Sequence, residues 1–178
     1  MEEQETPLED VHEGIHEHAE HARERWVMGV AVSTALIAAV AAIASLLSGD
    51  NVNEAMMEQI RASDRWGQYQ SKSIKAVELT TRITLLESNG KTVSEKDRKK
   101  LVDYGSDQDE VKKSAEEHDR AAEAHMRRHH VIAKSVTWSQ IAIAISAIAV
   151  LTRQKWFWGL GLAFGAAGLV FLLWGAAM

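Results

Sequence analysis

The residues best equipped for chemistry in this chain are its eight histidines, set among twenty-five carboxylates and no cysteine. Without thiols, disulfides, thiolate catalysis and cysteine-type zinc sites are excluded. The densest cluster lies near the N-terminus, where His12, His16 and His21 alternate with Glu13, Glu17 and Glu20. His12-Glu13-Gly14-Ile15-His16 matches the H-E-x-x-H pattern, in which two histidines one turn apart hold zinc and the glutamate acts as general base. Zinc catalysis also needs a third protein ligand and an enclosed substrate cleft. Only eleven residues precede His12 to supply either, and His21 falls one position short of the extended metzincin spacing. A tract of alternating His and Glu produces this pattern by chance, so no enzyme and no cofactor is expected. The pairs His12/His16 and Glu17/His21 still share a helical face. His12, His16 and His21 are therefore candidate ligands for a divalent ion held between copies, set against a plain solvated acidic helix.

A second group, His118, His125 and His129, lies on a regular stripe. Leu101, Tyr104, Gln108, Val111, Ala115, His118, Ala122, His125, His129, Ile132 and Val136 follow alternating steps of three and four. That is a heptad pattern on one helical face. Met56, Ile60, Ser63, Gly67, Gln70, Ile74, Val77 and Thr81 repeat it upstream, with a small, polar middle. Asn89-Gly90 reads as a helix stop, and Ser94 with Asp97 as a capping box that starts the next helix. Two long helices joined by so short a turn predict an antiparallel hairpin. Each arm would extend roughly 55 Å at 1.5 Å per residue. Gly105-Ser106 is expected to interrupt the second arm. Counted from a turn near Lys91–Thr92, His125 would meet Glu58, His129 would meet Glu54, and His118 would lie by Asp64–Trp66. Buried histidine–carboxylate pairs respond to pH near neutrality, so these five residues form a candidate pH-responsive seam; the alternatives are solvated side chains or a metal site.

These groups must be positioned by helices of two kinds. Residues 26–48, 136–152 and 156–178 contain no charged side chain. About 20 apolar residues cross ~30 Å of hydrocarbon, so three spans are predicted, with Val131–Ala133 able to extend the second. Trp156 and Trp158 at one end of the third and Trp174 at the other suit the two interfaces. Arg153-Gln154-Lys155 forces a tight hairpin between spans two and three. Ala31, Ala35 and Ala39, then Ala142 and Ser146, then Gly161 and Gly165 recur at four-residue spacing, which permits close helix approach within the chain or between copies. No ionisable group lies deep in a span, which counts against an ion-coupled transporter. The predicted layout is therefore an acidic helical tail over 1–25, span one over 26–48, a coiled-coil stalk over 49–135, span two over 136–152 and span three over 156–175. The fold class is all-α and membrane-integral.

Charge is divided unevenly. The tail carries nine acidic and two basic residues, whereas residues 49–135 carry sixteen of each. A neutral, mixed surface argues against nucleic acid as a partner. Arg23 and Arg25 before span one, and Arg153 and Lys155 between spans two and three, favour a cytoplasmic N-terminus and a stalk on the opposite side. Arg127, Arg128 and Lys134 before span two weigh the other way.

The stretch Ser63-Asp64-Arg65-Trp66-Gly67-Gln68-Tyr69-Gln70-Ser71-Lys72-Ser73-Ile74-Lys75 resembles a bacterial membrane-protein family known only as a domain of unknown function. Asn53 to Ile60 (N-E-A-x-x-E-Q-I), the His/Glu-rich tail and the order span, stalk, span, span extend the likeness over nearly the whole chain. The resemblance implies a bacterial inner-membrane setting and brings no activity, ligand or catalytic residue. Trp66 and Tyr69 are expected either to pack over the gap at Ser63 and Gly67 or to dock a partner. The expected function is a membrane-anchored scaffold or adaptor. Its partners would be the lipid bilayer, further copies of itself, and an unidentified membrane or envelope protein. A small channel or transport accessory, drawing on Ser33, Thr34, Ser45, Thr137, Ser139, Gln140 and Ser146, and a pH or metal sensor are the alternatives.

Overall fold

A computed structural model describes the backbone of residues 7–178 and the side chains of residues 25–178. Over these residues the chain is three α-helices without a strand: α1 (Pro7–Ser88), α2 (Glu95–Thr152) and α3 (Lys155–Ala177). All three contain a stretch long and apolar enough, by length and composition, to cross a membrane. Contacts divide the chain into two compact units. One holds the chain up to Ser48 together with His130–Met178, and the other holds Gly49–His129.

In the first unit, Ala44, Ile132 and Leu172 form the buried centre, one from each helix, with Val40, Leu47 and Val136 against it. The inward face of α3 is almost entirely glycine: Gly161, Gly165, Gly168 and Gly175 are buried with Leu172. Opposite them on α2 lie Ser135, Ser139, Ala142, Ser146 and Ala149, all buried to 1 % exposure or less. In a lipid environment, which gives apolar helices no hydrophobic reason to associate, such close backbone approach between small residues supplies the attraction. The α2–α3 turn is Arg153-Gln154, with Arg153 in the left-handed region (φ 57°) and its N–H bonded to the Val150 carbonyl at 3.3 Å. That conformation favours glycine, and a residue with a Cβ adopts it at a cost of roughly 1 kcal/mol.

In the second unit, the helix stop and start fall where the residues place them. Gly90 takes a left-handed conformation (φ 68°), and Gly90 and Lys91 donate to the carbonyls of Glu87 and Leu86 at 3.0 and 2.9 Å. This satisfies the last turn of α1 in the manner of a glycine C-cap. Ser94 Oγ accepts the Lys96 N–H at 3.2 Å and caps α2. Gly105-Ser106 does not interrupt α2, which stays helical from Glu95 to Thr152. A lone glycine lowers helix stability by about 1 kcal/mol without breaking a long helix.

The predicted α2 stripe is the inward one: from Leu101 to Val136 each of its members is buried or half-buried. On α1 the expectation is corrected. Met56, Ile60, Ile74 and Val77 are 58, 55, 68 and 62 % exposed. The inward face starts one residue earlier and includes Ala55, Glu58, Ala62, Trp66, Tyr69, Ala76, Leu79 and Ile83. Two heptad stripes lie side by side on this helix. The buried one is marked by Ala55 and Ala62, and α2 contributes Ala115 and Ala122, all at 5 % exposure or less. Alanine admits a closer helix approach than methionine or isoleucine would, so the larger side chains remain outside.

Candidate functional site

Polar and ionisable side chains that meet across helices concentrate in the second unit, along the facing surfaces of α1 and α2. His118 Nδ1 lies 2.5 Å from Glu58 Oε2, and Glu58 also accepts from the Arg61 guanidinium. With the carboxylate ionised, the Nδ1 atom of His118 must carry the proton that it shares. The His118 hydrogen bond, aided by Arg61 and opposed by burial, holds the Glu58 carboxyl below its ordinary value of 4.5. Arg61, Asp64, Arg65, Gln68 and His118 line a hollow of about 420 Å³ beside this pair.

Four further contacts join the same two helices. Trp66 Nε1 donates to Asp119 Oδ2 at 2.9 Å, and Gln59 Nε2 reaches the other oxygen of Asp119 at 3.4 Å. The Lys72 ammonium donates to Asp107, and the Arg98 guanidinium donates to Glu87 at 2.5 Å. Trp66 meets Tyr69 edge to face, with ring centroids 5.7 Å apart. These aromatics therefore face α2, while Ser63 and Gly67, the gap they were expected to fill, are exposed.

Of the predicted seam, the structure brings together Glu58 and His118. His125 Nδ1 lies 3.4 Å from Asn51 Oδ1 rather than beside Glu58. Glu54 is exposed, and His129 is half-buried on the inward face of α2. The partner of Glu58 is thus displaced by seven residues, one heptad, from the register counted from the turn. A heptad pattern specifies which face of a helix packs but repeats too regularly to specify which heptad lies opposite. The side chains of His12, His16 and His21 lie outside the described residues. Among the described residues, no three or more His, Asp or Glu side chains are grouped as a metal site would require.

The span-packing residues separate into two sets. Gly161, Gly165, Ala142 and Ser146 meet within the chain: a Cβ on Gly161 would stand 2.7 Å from Ser146 Oγ, and one on Gly165 would stand 2.7 Å from Ile37 Cδ1 and 3.8 Å from Ala142 Cβ. Gly168 repeats the arrangement against Ser139 Oγ at 2.6 Å, and Gly175 against Ile132 at 2.5 Å. Ala35 and Ala39 of α1 are exposed. Two features have no plain signal in the sequence. The glycine face extends to Gly168 and Gly175, which a search at four-residue spacing misses because the steps alternate between three and four. Trp158, expected at a membrane interface, donates its Nε1–H to Ser33 Oγ at 3.0 Å and lays its ring against Gly29. Trp138 adds an aromatic contact with Phe164 at 5.1 Å and stacks towards Phe171 at 6.5 Å.

No curated protein and no solved structure matches the chain. A family model does match, over residues 26–178, which takes in everything from the first apolar stretch onward and leaves the His/Glu-rich tail outside. The chain belongs to the family described as domain of unknown function DUF4337.

Proposed function

We propose that this protein is a non-enzymatic, membrane-anchored scaffold that assembles with further copies of itself. In this reading the three apolar helices span a bacterial inner membrane. Residues 49–129 form an antiparallel coiled-coil hairpin outside the bilayer, and the pairs Arg98–Glu87, Lys72–Asp107 and His118–Glu58 support that arrangement. The observation that carries self-assembly is the uncovered apolar surface of this segment. Met56, Met57, Ile60, Ile74, Val77, Leu85 and Val102 are all close to or beyond half exposed. Scattered exposed apolar residues need no explanation, but Met56, Ile60, Ile74 and Val77 lie on one face of α1, and apolar residues grouped on a face are what an interaction surface presents. The positions of Arg153 and Lys155 favour a cytoplasmic N-terminus and a periplasmic hairpin.

The test is co-purification of two differently tagged copies. Tags expressed in one membrane should isolate together, and tags mixed after extraction should not. Failure of co-expressed tags to associate overturns the reading. Orientation is read separately by an impermeant maleimide: in a chain without native cysteine, Lys96→Cys should label in intact cells and Gln154→Cys should not, and the reverse pattern inverts the topology. A second reading, a scaffold whose hairpin loosens in acid, is favoured by the Glu58–His118 contact.

A further inference from the structure

On the outer face of α1, Met56, Ile60, Ser63, Gly67, Gln70, Ile74, Val77 and Thr81 are all exposed. Their steps alternate four and three without a slip, which places Met56, Ser63, Gln70 and Val77 at d positions and Ile60, Gly67, Ile74 and Thr81 at a positions. We infer that this stripe is the surface on which a second copy of the chain docks, through a parallel, in-register pairing of the two α1 segments. The inference rests on the self-assembling reading and adds its interface and geometry.

Three observations select a second copy in this orientation. The first is the period. Met56, Ile60, Ile74 and Val77, the stripe's apolar members, fall on a row stepping alternately by four and three, the pattern that one helix presents to another wound along it. The second is charge. In a parallel pair, each g residue faces the e residue five positions further along the partner helix. The g positions are Gln59, Trp66, Ser73 and Thr80, and the e positions include Asp64, Ser71, Glu78 and Leu85. The resulting neighbours are Gln59 with Asp64, Trp66 with Ser71, Ser73 with Glu78 and Thr80 with Leu85. No like charges meet: Ser73 sets a hydroxyl beside Glu78, and Gln59 and Trp66, which donate to Asp119 of their own α2, leave the g flank without charge. The reverse orientation sets the e flank against itself and brings acidic residues together, a choice of the kind that e and g positions govern. The third is direction: copies anchored by the same spans in one membrane enter the hairpin in the same sense.

The stripe also explains its weak middle. Ile60 and Ile74 bracket Ser63, Gly67 and Gln70, so apolar layers at each end hold a small, polar centre in which Gln70 meets its equivalent. A polar layer at a core position fixes register at some cost in stability. A parallel in-register pair is the alignment that stacks like on like.

Disulfide scanning of the full chain in its membrane tests this directly, because the native protein offers no competing thiol. Under mild oxidation Ile60→Cys and Ile74→Cys should each form dimers in high yield. Lys75→Cys, exposed but about 100° round the helix from Ile74, should form at least several-fold less. Co-expressed Ile60→Cys and Ile74→Cys chains should cross-link to themselves and not to each other. Equal yields at Ile74→Cys and Lys75→Cys, or efficient joining of position 60 to position 74, overturn the parallel stripe. If differently tagged copies co-purify while neither stripe cysteine cross-links, the interface is wrong and self-assembly stands. If the tags do not co-purify, the underlying reading falls.

Discussion

Glu58 and Gly168 illustrate how single residues act in the two units. Glu58 is the carboxyl whose folded-state pKa is depressed, chiefly by its hydrogen bond to His118 and then by Arg61. A depressed acid contributes stability above its unfolded pKa, here 4.5, and loses it as the pH falls through the folded value. The melting temperature of the wild-type protein should therefore drop on acidification below about pH 4.5 by more than that of Glu58→Gln. Equal acid sensitivity of the two proteins would remove Glu58 from the account. Gly168 acts by what it lacks. A Cβ there would stand 2.6 Å from Ser139 Oγ and 3.2 Å from the Ser135 carbonyl, and at Gly161 it would meet Ser146 Oγ and the Ala142 carbonyl in the same way. Gly168→Ala and Gly161→Ala should each destabilise by about 1–3 kcal/mol, the usual cost of overpacking. Gly159→Ala, which meets nothing within 4 Å, should be neutral or slightly stabilising in the same thermal unfolding series.

Among the elements, the helices were readable in advance and their pairing was not. Asn89-Gly90 and Ser94 announce the turn because each supplies a particular bond: a left-handed residue that closes one helix, and a hydroxyl that caps the next. The α2 stripe was equally legible, since its apolar and small residues follow a single uninterrupted period. On α1 two stripes compete one residue apart, and counting apolar side chains selects Met56, Ile60, Ile74 and Val77 over Ala55 and Ala62. Packing selects the alanines, because the distance between two helices is set by the bulk between them. The partner of Glu58 is illegible for a related reason: a heptad shift leaves every residue of α2 on its face. Gly105 reads as a break because glycine weakens a helix, whereas the neighbouring turns hold α2 continuous. With open space at that position, Gly105→Ala should stabilise the protein by roughly 1 kcal/mol in thermal or denaturant unfolding. A loss of stability would mean that the glycine serves a contact not seen within one chain.

At the scale of the whole molecule, the two units spend their small residues differently. In the first unit, Gly161, Gly165, Gly168 and Gly175 meet serine, alanine and isoleucine of the same chain, so span-to-span packing is largely satisfied internally. In the second, apolar side chains of α1 stay uncovered. Residues 49–135 carry sixteen acidic and sixteen basic residues, a composition suited to water, in which grouped exposed apolar side chains mark a candidate interaction surface. Under the proposed function, copies would assemble through residues 49–129, with the three apolar helices as anchors that hold them in a common direction. The most direct measurement is the mass of the intact protein released from native-lipid nanodiscs by mass spectrometry. A self-assembling protein should appear as a discrete species at an integer multiple of the chain mass, reduced towards a single chain when Ile60 and Ile74 are both replaced by Ser. A single-chain mass for the wild-type protein at every concentration in lipid would contradict self-assembly.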